Sequence, residues 1–187
     1  MKIFYTASFW GKDKYQRYYD LVREALEKTK VELISPEKGN YLDLVSKSEA
    51  ARLGNAKMIH YEAIRRGIEW ADAVVMEVSN EDFQLGHEAT LAMQAKKHVL
   101  CLSIHEDFSV KINDRYFHGA KYNENSVWWT VEEFINGVRG NVMSERLNMF
   151  LSVNQLKYVA QVSAKSGVNK SEYIRRLIEH DQKRSVK

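Results

Sequence analysis

The sequence predicts an α/β fold: a Rossmann-like (flavodoxin-like) parallel sheet with helices on both faces, followed by a small C-terminal module. Three observations predict it. Ala73-Val74-Val75-Met76-Glu77-Val78 and His98 to Ser103 are short apolar runs, the pattern of buried strands. Between them, from Leu85, the period turns helical, with Leu85, Ala89, Ala92 and Met93 on one face. Such a strand, loop, helix, strand unit implies a parallel pair with a right-handed crossover. The third observation is a change of charge: residues 141–187 hold 9 Lys/Arg against 4 Asp/Glu, net +5, while residues 1–140 hold 19 against 21, net −2. A basic tail on a mildly acidic body divides the chain into domains at 1–140 and 141–187.

The elements follow in order. Lys2 to Thr6 is apolar and β-prone, a first strand, and Ala7-Ser8-Phe9-Trp10-Gly11 follows at its carboxyl end. Small residues there let a ligand approach the backbone, and two aromatics can stack a base or a ribose face; the alternative is a turn with a core aromatic. Asp13 to Lys28 is an amphipathic helix with Tyr15, Tyr18, Tyr19, Val22, Ala25 and Leu26 on one side. Val31 to Ile34 is a second strand, closed by Ser35-Pro36. Glu37 to Asn55 is polar and reads as a short helix and a loop; Ala56 to Trp70 has a helical period. Ser79 to Gln84 is a loop, which places Glu88 on the first turn of the helix after it, and Lys96 and Lys97 suit that helix's last turn. From Ser103 to Asn125 the chain is irregular; Ser126 to Val131 reads as a strand and Val131 to Val138 as a helix, with Gly137 and Gly140 marking a helix end and a linker.

Composition excludes several classes. In 187 residues, 44% hydrophobic and 28% charged content is a soluble, foldable balance. No apolar run reaches the length of a membrane span, and Met1-Lys2-Ile3-Phe4 is not a signal peptide. The single cysteine, Cys101, sits in an apolar strand as a core residue, which fits a reducing cytoplasm. No metal-ligand cluster, P-loop or GxGxxG occurs, so no cofactor is expected.

The stretch from Ala71 to Glu88, an "AD-x-VV-x-E-x-S" strand, a loop, then Gly86-His87-Glu88 opening a helix, resembles the nucleoside 2-deoxyribosyltransferases and their relatives, the deoxynucleoside-monophosphate N-glycosidases. The resemblance covers about residues 1–140. It implies N-glycosidic bond cleavage or transfer on (deoxy)nucleosides, with Glu88 as the nucleophile on the anomeric carbon. It also implies a substrate pocket from Ser8, Phe9, Trp10 and Gly86, a base-recognising acid at Glu62, and Asn113 reaching the sugar 5′-hydroxyl in a neighbouring subunit's site. Asp82, six residues before Glu88, matches the acid that binds the sugar hydroxyl side in the transferases; the monophosphate glycosidases have a phosphate-binding Ser in the corresponding place and often an Arg in the first loop, which this chain lacks. An Asp repels a 5′-phosphate, so unphosphorylated nucleosides are expected. Glu62 also reads as a solvated helix residue, and Asn113 as a loop Asn making its own turn.

The chemistry is consistent with that assignment. Glycosyl transfer through a covalent intermediate needs a carboxylate beneath the anomeric carbon and a group that hydrogen-bonds the departing base. A Glu in the first helical turn is stabilised by the helix dipole, so Glu88 is expected to stay ionised. His87 reads as a packing or capping neighbour. Two further readings share these residues: a nucleoside- or nucleotide-sensing regulator without turnover, and a glycosidase of a 5′-monophosphate or dinucleotide.

In the tail, Glu145 to Val153 alternates, with Leu147, Met149 and Leu151 on one face and Arg146, Asn148 and Phe150 on the other. Asn154 to Ser166 is helical, with Leu156, Val159, Ala160 and Ser163 inward and Gly167 as its stop. Asn169-Lys170-Ser171-Glu172 is a capping box opening a helix striped by Tyr173, Ile174, Leu177 and Ile178. Over about residues 144–182 this pattern resembles the ribbon-helix-helix repressors, whose paired strands enter the major groove. The resemblance implies a homodimer or higher homo-oligomer, base contacts from Arg146, Asn148 and Phe150, and a phosphate held at Lys170 and Ser171. Phe150 departs from the small polar residue usual there, which leaves a dimerisation module without DNA readout as the alternative.

Overall fold

The computed structural model describes residues 1–141, 151–166 and 170–185. It divides into two compact units, Met1–Val142 and Met143–Lys187. In the first, five strands run parallel in one sheet: β1 (Lys2–Ala7), β2 (Glu32–Ile34), β3 (Ala73–Glu77), β4 (His98–Ser103) and β5 (Phe117–Lys121), in the order β2-β1-β3-β4-β5. One row of the register runs Phe4, Val74, Val99, Phe117 across the four strands from β1 to β5. The central strands are apolar throughout because both faces of the sheet are covered. Strand alternation sorts their side chains. Ile3, Tyr5, Val75, Leu100 and Leu102 pack with α1 (Lys12–Lys28) and the last helix of the unit; Phe4, Val74, Met76, Val99 and Cys101 pack on the other face with two helices between β2 and β4.

Three helices lie between β2 and β4: α2 (Lys47–Leu53), α3 (Ala56–Trp70) and α4 (Phe83–Gln94). The polar stretch after β2 holds more structure than its composition announces. Two short 3-10 turns, Pro36–Lys38 and Asn40–Leu44, precede α2, which opens on a reciprocal capping box between Ser46 and Glu49. Ala56–Trp70 is helical as its period predicts, capped by the Asn55 side chain on the Lys57 amide.

Beyond β4 the structure corrects the sequence reading. The expected irregular stretch contains β5, and the expected strand from Ser126 to Val131 is the start of one helix, α5 (Val127–Asn141). Val127-Trp128-Trp129-Thr130-Val131 has high strand propensity, but Val127, Val131, Ile135 and Val138 are buried at helical spacing, and that burial decides the conformation. The Asn123 side chain accepts from the amides of Asn125 and Ser126, turning the chain into the helix. Gly137 therefore lies inside α5 and does not mark its end, while Gly140 is the last residue but one of the helix. β5 escapes notice because Phe117-His118-Gly119-Ala120-Lys121 has no β-branched residue. Its glycine has a packing cause: a Cβ on Gly119 would stand 2.3 Å from the Ser109 amide nitrogen, in the 3-10 turn Phe108–Val110 that lies against the strand.

The second unit shows two helices packed on each other, α6 (Val153–Lys165) and α7 (Lys170–Ser185). Ser152 caps α6 in a capping box with Gln155, so the helix starts one residue earlier than its apolar period and takes in Val153, the last residue of the expected strand. Val159 and Ser163 are buried, whereas Leu156, Leu177 and Ile178 are each about half exposed. Residues 145–150 of the expected strand, the stop at Gly167 and the cap at Asn169 lie outside the described residues. Among the described residues no helix is long and apolar enough to cross a membrane.

Two glycines in helices test how packing sets the sign of one substitution. A Cβ on Gly67 of α3 would meet the buried Phe4 ring at 2.3 Å, while one on Gly137 of α5 would meet nothing within 4 Å. Alanine in an exposed helix interior gains about 1 kcal/mol over glycine, and overpacking a core costs about 1–3 kcal/mol. Gly137→Ala is expected to raise the urea midpoint and Gly67→Ala to lower it. A raised midpoint in Gly67→Ala would refute the packing of α3 against β1 described above.

Candidate active site at the carboxyl ends of β1 and β3

The strand order places a topological switch between β1 and β3, where connections leave for opposite sides of the sheet and ligands bind beyond the carboxyl ends. Ser8 follows β1 and is buried; its hydroxyl accepts from the Asn80 side chain at 2.9 Å, tying the loop after β1 to the loop after β3. The next two residues stand clear of the core. Phe9 is 70% exposed and Trp10 82%, their rings edge to face at 5.6 Å. The core-aromatic alternative for this turn is thereby removed.

Asp82 is the N-cap of α4, its Oδ1 accepting from the Leu85 amide at 2.9 Å. The helix begins at Phe83, two residues before its apolar period, because Asp82 caps it there. Glu88 consequently sits on the second turn rather than the first. It is 1% exposed. Its Oε1 accepts from the Gln84 amide nitrogen at 2.8 Å, and its Oε2 has no hydrogen-bond partner among the described residues. Burial pushes the carboxyl up to about 7, with the Asp82 charge adding to the rise and the Gln84 and Thr6 side chains pulling against it. The expectation that Glu88 stays ionised is corrected in direction: its carboxyl is raised, because desolvation is the largest influence on it.

Two adjoining cavities open here. The larger, about 830 Å³, is lined by Phe9, Trp10, Lys57, Tyr61, Phe83, His87 and Glu88 among others. Tyr61 and His87 stack at 6.0 Å with their planes 20° apart. The smaller, about 330 Å³, is lined by Thr6, Lys12, Glu37, Tyr41 and Asp82 among others. Phe9, Trp10, His60, Ile64 and Gln84 border both. Lys12 is paired with Glu37 at 2.9 Å.

The remaining expected site residues lie apart. Glu62 lines neither cavity; Arg65 and Arg66 both bind its carboxylate and hold it down at about 2. Gly86 faces a separate cavity of about 210 Å³ with Asp82, Cys101 and Ile112. Asn113 is exposed in the loop after Ile112. Cys101 is buried, and its thiol is pushed up to about 12 by desolvation, as an inert core residue should be. In the second unit Lys170 opens α7 and is exposed, and Ser171 follows it in the helix; Arg146, Asn148 and Phe150 lie outside the described residues. Among the described residues no group of three or more His, Cys, Asp or Glu could hold a metal ion.

Sequence reasoning missed two features. His60 lies where the two cavities meet, hydrogen-bonded through Nδ1 to the Tyr41 hydroxyl at 2.8 Å and through Nε2 to Gln84 at 3.1 Å. Nothing local in the sequence marks it. Glu77 had a signal, a carboxylate inside an apolar strand. It is fully buried at the end of β3 and pushed up to about 7 by desolvation, against hydrogen bonds from the Ser79 amide, the Ser79 hydroxyl and the Tyr122 hydroxyl. Its parity with Ala73 and Val75 puts it on the α1–α5 face, beneath neither cavity.

No family model matches the chain, and no curated protein does. Among solved structures, one similar to it is the CMP N-glycosidase BcmB of Clostridium botulinum, at 15% identity and a TM-score of 0.43, over 71% of this chain and 99% of that one.

Proposed function

We propose that the first unit cleaves or transfers the N-glycosidic bond of a (deoxy)nucleoside, with Glu88 as nucleophile. The observation that carries this reading is the Glu88 carboxyl itself: it lines the larger cavity at the switch point, one oxygen fixed by Gln84 and the other, with the Thr6 hydroxyl near the carboxyl, in no well-formed hydrogen bond among the described residues. The free oxygen attacks the anomeric carbon, the base departs with the electrons of the C–N bond and takes a proton from solvent, and water or a second base then displaces Glu88 from the covalent intermediate, returning a proton to solvent. Phe9, Trp10 and Tyr61 offer faces and edges for the base. A sensor without turnover would use the same cavity but would not need an unpartnered carboxyl oxygen.

Attack requires the ionised form, so base release should rise as pH rises through about 7. Stability should do the opposite. A carboxyl whose folded value lies above its ordinary 4.5 binds more protons folded than unfolded between those pH values, so wild-type stability falls across that window as pH rises. Glu88→Gln is expected to abolish base release and, between pH 5 and 8, to lose about 3 kcal/mol less stability than wild type. Chromatography of free base and urea melts at the two pH values measure both. Wild-type turnover in the variant would remove Glu88 as nucleophile.

The smaller cavity supports unphosphorylated substrates. Asp82 borders it, and its one lysine side chain, Lys12, is neutralised by Glu37. In a panel of deoxynucleosides and their 5′-monophosphates, the nucleosides should be cleaved faster. Asp82→Ser should improve the monophosphates while keeping α4 capped, since Ser is as good an N-cap as Asp. A wild-type protein tenfold better with monophosphates would make the substrate a nucleotide instead.

For the second unit we propose dimerisation and duplex DNA binding, supported by its +5 charge and by the half-exposed Leu156, Leu177 and Ile178. Binding should weaken with salt as counterions are released. Arg146→Ala should cost on the order of 1–3 kcal/mol and blur preference at one base pair, whereas Lys170→Ala should weaken all duplexes alike. A chain ended after residue 141 should lose both dimer and gel shift but keep base release. A full-length monomer, or one indifferent to DNA at low salt, refutes the corresponding half.

A further inference from the structure

A chain of hydrogen bonds leads to Glu88 from across the site. The Tyr41 hydroxyl meets His60 Nδ1 at 2.8 Å, His60 Nε2 meets Gln84 Nε2 at 3.1 Å, and the same Gln84 nitrogen donates to Glu88 Oε1 at 2.8 Å. One amide nitrogen thus serves both neighbours, and an amide nitrogen only donates. His60 Nε2 must then be the acceptor, which puts the imidazole proton on Nδ1, pointed at the Tyr41 oxygen.

We infer that His60 is a positioning residue: its bare Nε2 holds the Gln84 side-chain amide with nitrogen toward Glu88, and so favours the ionised, donor-bonded form of the nucleophile. The reverse orientation of the amide shows why. With the Gln84 oxygen turned inward, His60 would have to carry its proton on Nε2 and Glu88 would have to be protonated, since two acceptors cannot face each other. The imidazole tautomer and the carboxyl proton are therefore linked through one side chain. Burial lowers the pKa of His60, which favours the neutral ring that the arrangement requires. The catalytic meaning of this link rests on the reading of Glu88 as nucleophile; the link itself does not.

The other charged and titratable groups around the two ends are few. Asp82, at the head of α4, opposes ionisation of Glu88. Lys57 and Tyr61 of α3 and His87 of α4 line the larger cavity; Lys12 of α1 and Glu37, after β2, line the smaller as an ion pair. None of the hydrogen bonds described for these groups falls on His60, Gln84 or the Glu88 carboxyl.

The test is the titration of Glu88 read directly in the full-length protein without substrate, from its side-chain carboxyl carbon by NMR, assigned with Glu88→Gln. His60→Leu removes the acceptor and should move the Glu88 midpoint up by about 0.5 to 1 pH unit, the reach of one lost hydrogen bond. His60→Gln puts a carbonyl oxygen near the place of Nε2 and should leave the midpoint near wild type. Gln84→Met, which removes the donor itself, should move it up at least as far as His60→Leu. An unchanged midpoint in His60→Leu overturns the inference, as does a shift in His60→Gln as large as that in His60→Leu, which would point to packing alone. Because no turnover is involved, failure here is distinct from failure of the glycosidase reading, which the base-release assay decides.

Discussion

The molecule depends on one constraint, the need of a parallel sheet to be covered on both faces. β1, β3 and β4 are apolar on either side, so helices must be sent to both, and the direction of travel has to reverse somewhere. It reverses between β1 and β3. The loops that leave those strands part, and the space between them is where Phe9, Trp10, His60 and Glu88 converge. The cleft is a by-product of covering the sheet, and the side chains lining it are what make it specific.

Within that cleft desolvation outranks the other electrostatic effects. The Gln84 side-chain amide and the Thr6 hydroxyl both favour a charged Glu88, yet burial still raises it to about 7. Glu62 shows the converse. It is more exposed and clasped by two arginines, and is held far down, which makes it a poor proton donor to any departing base. Two glutamates on adjacent helices end at opposite extremes because one has arginines for neighbours and the other has the core.

Legibility followed burial and periodicity. Val74, Val75 and Leu100 announced their strands, and Ala56–Trp70 its helix, because apolar side chains at a fixed period can be buried in only one way. β5 was hidden because its place is secured by hydrogen bonds to β4 and by a glycine admitting a neighbouring turn, neither of which leaves an apolar pattern. Val127 to Val131 misled for the opposite reason: strand propensity is local, and the four buried positions that overrule it extend to Val138. The change of period at Leu85 placed Asp82 and Glu88 beyond the carboxyl end of β3, and only the family resemblance gave them roles. His60 could not be picked out, since its importance comes from Tyr41 and Gln84, 19 and 24 residues away in sequence.

Glu77 adds a consequence of its own. It and Glu88 lie on opposite faces of one sheet, and both are lifted by burial to about 7. In slightly acidic solution the unfolded chain holds these two carboxyls ionised while the native one holds them largely neutral, so folding there draws protons from the buffer. The heat of folding then carries the buffer's own ionisation heat, and the compact state is favoured wherever protons are plentiful. A protein with this arrangement couples its folding equilibrium to the proton concentration around it through carboxyls buried in its native state.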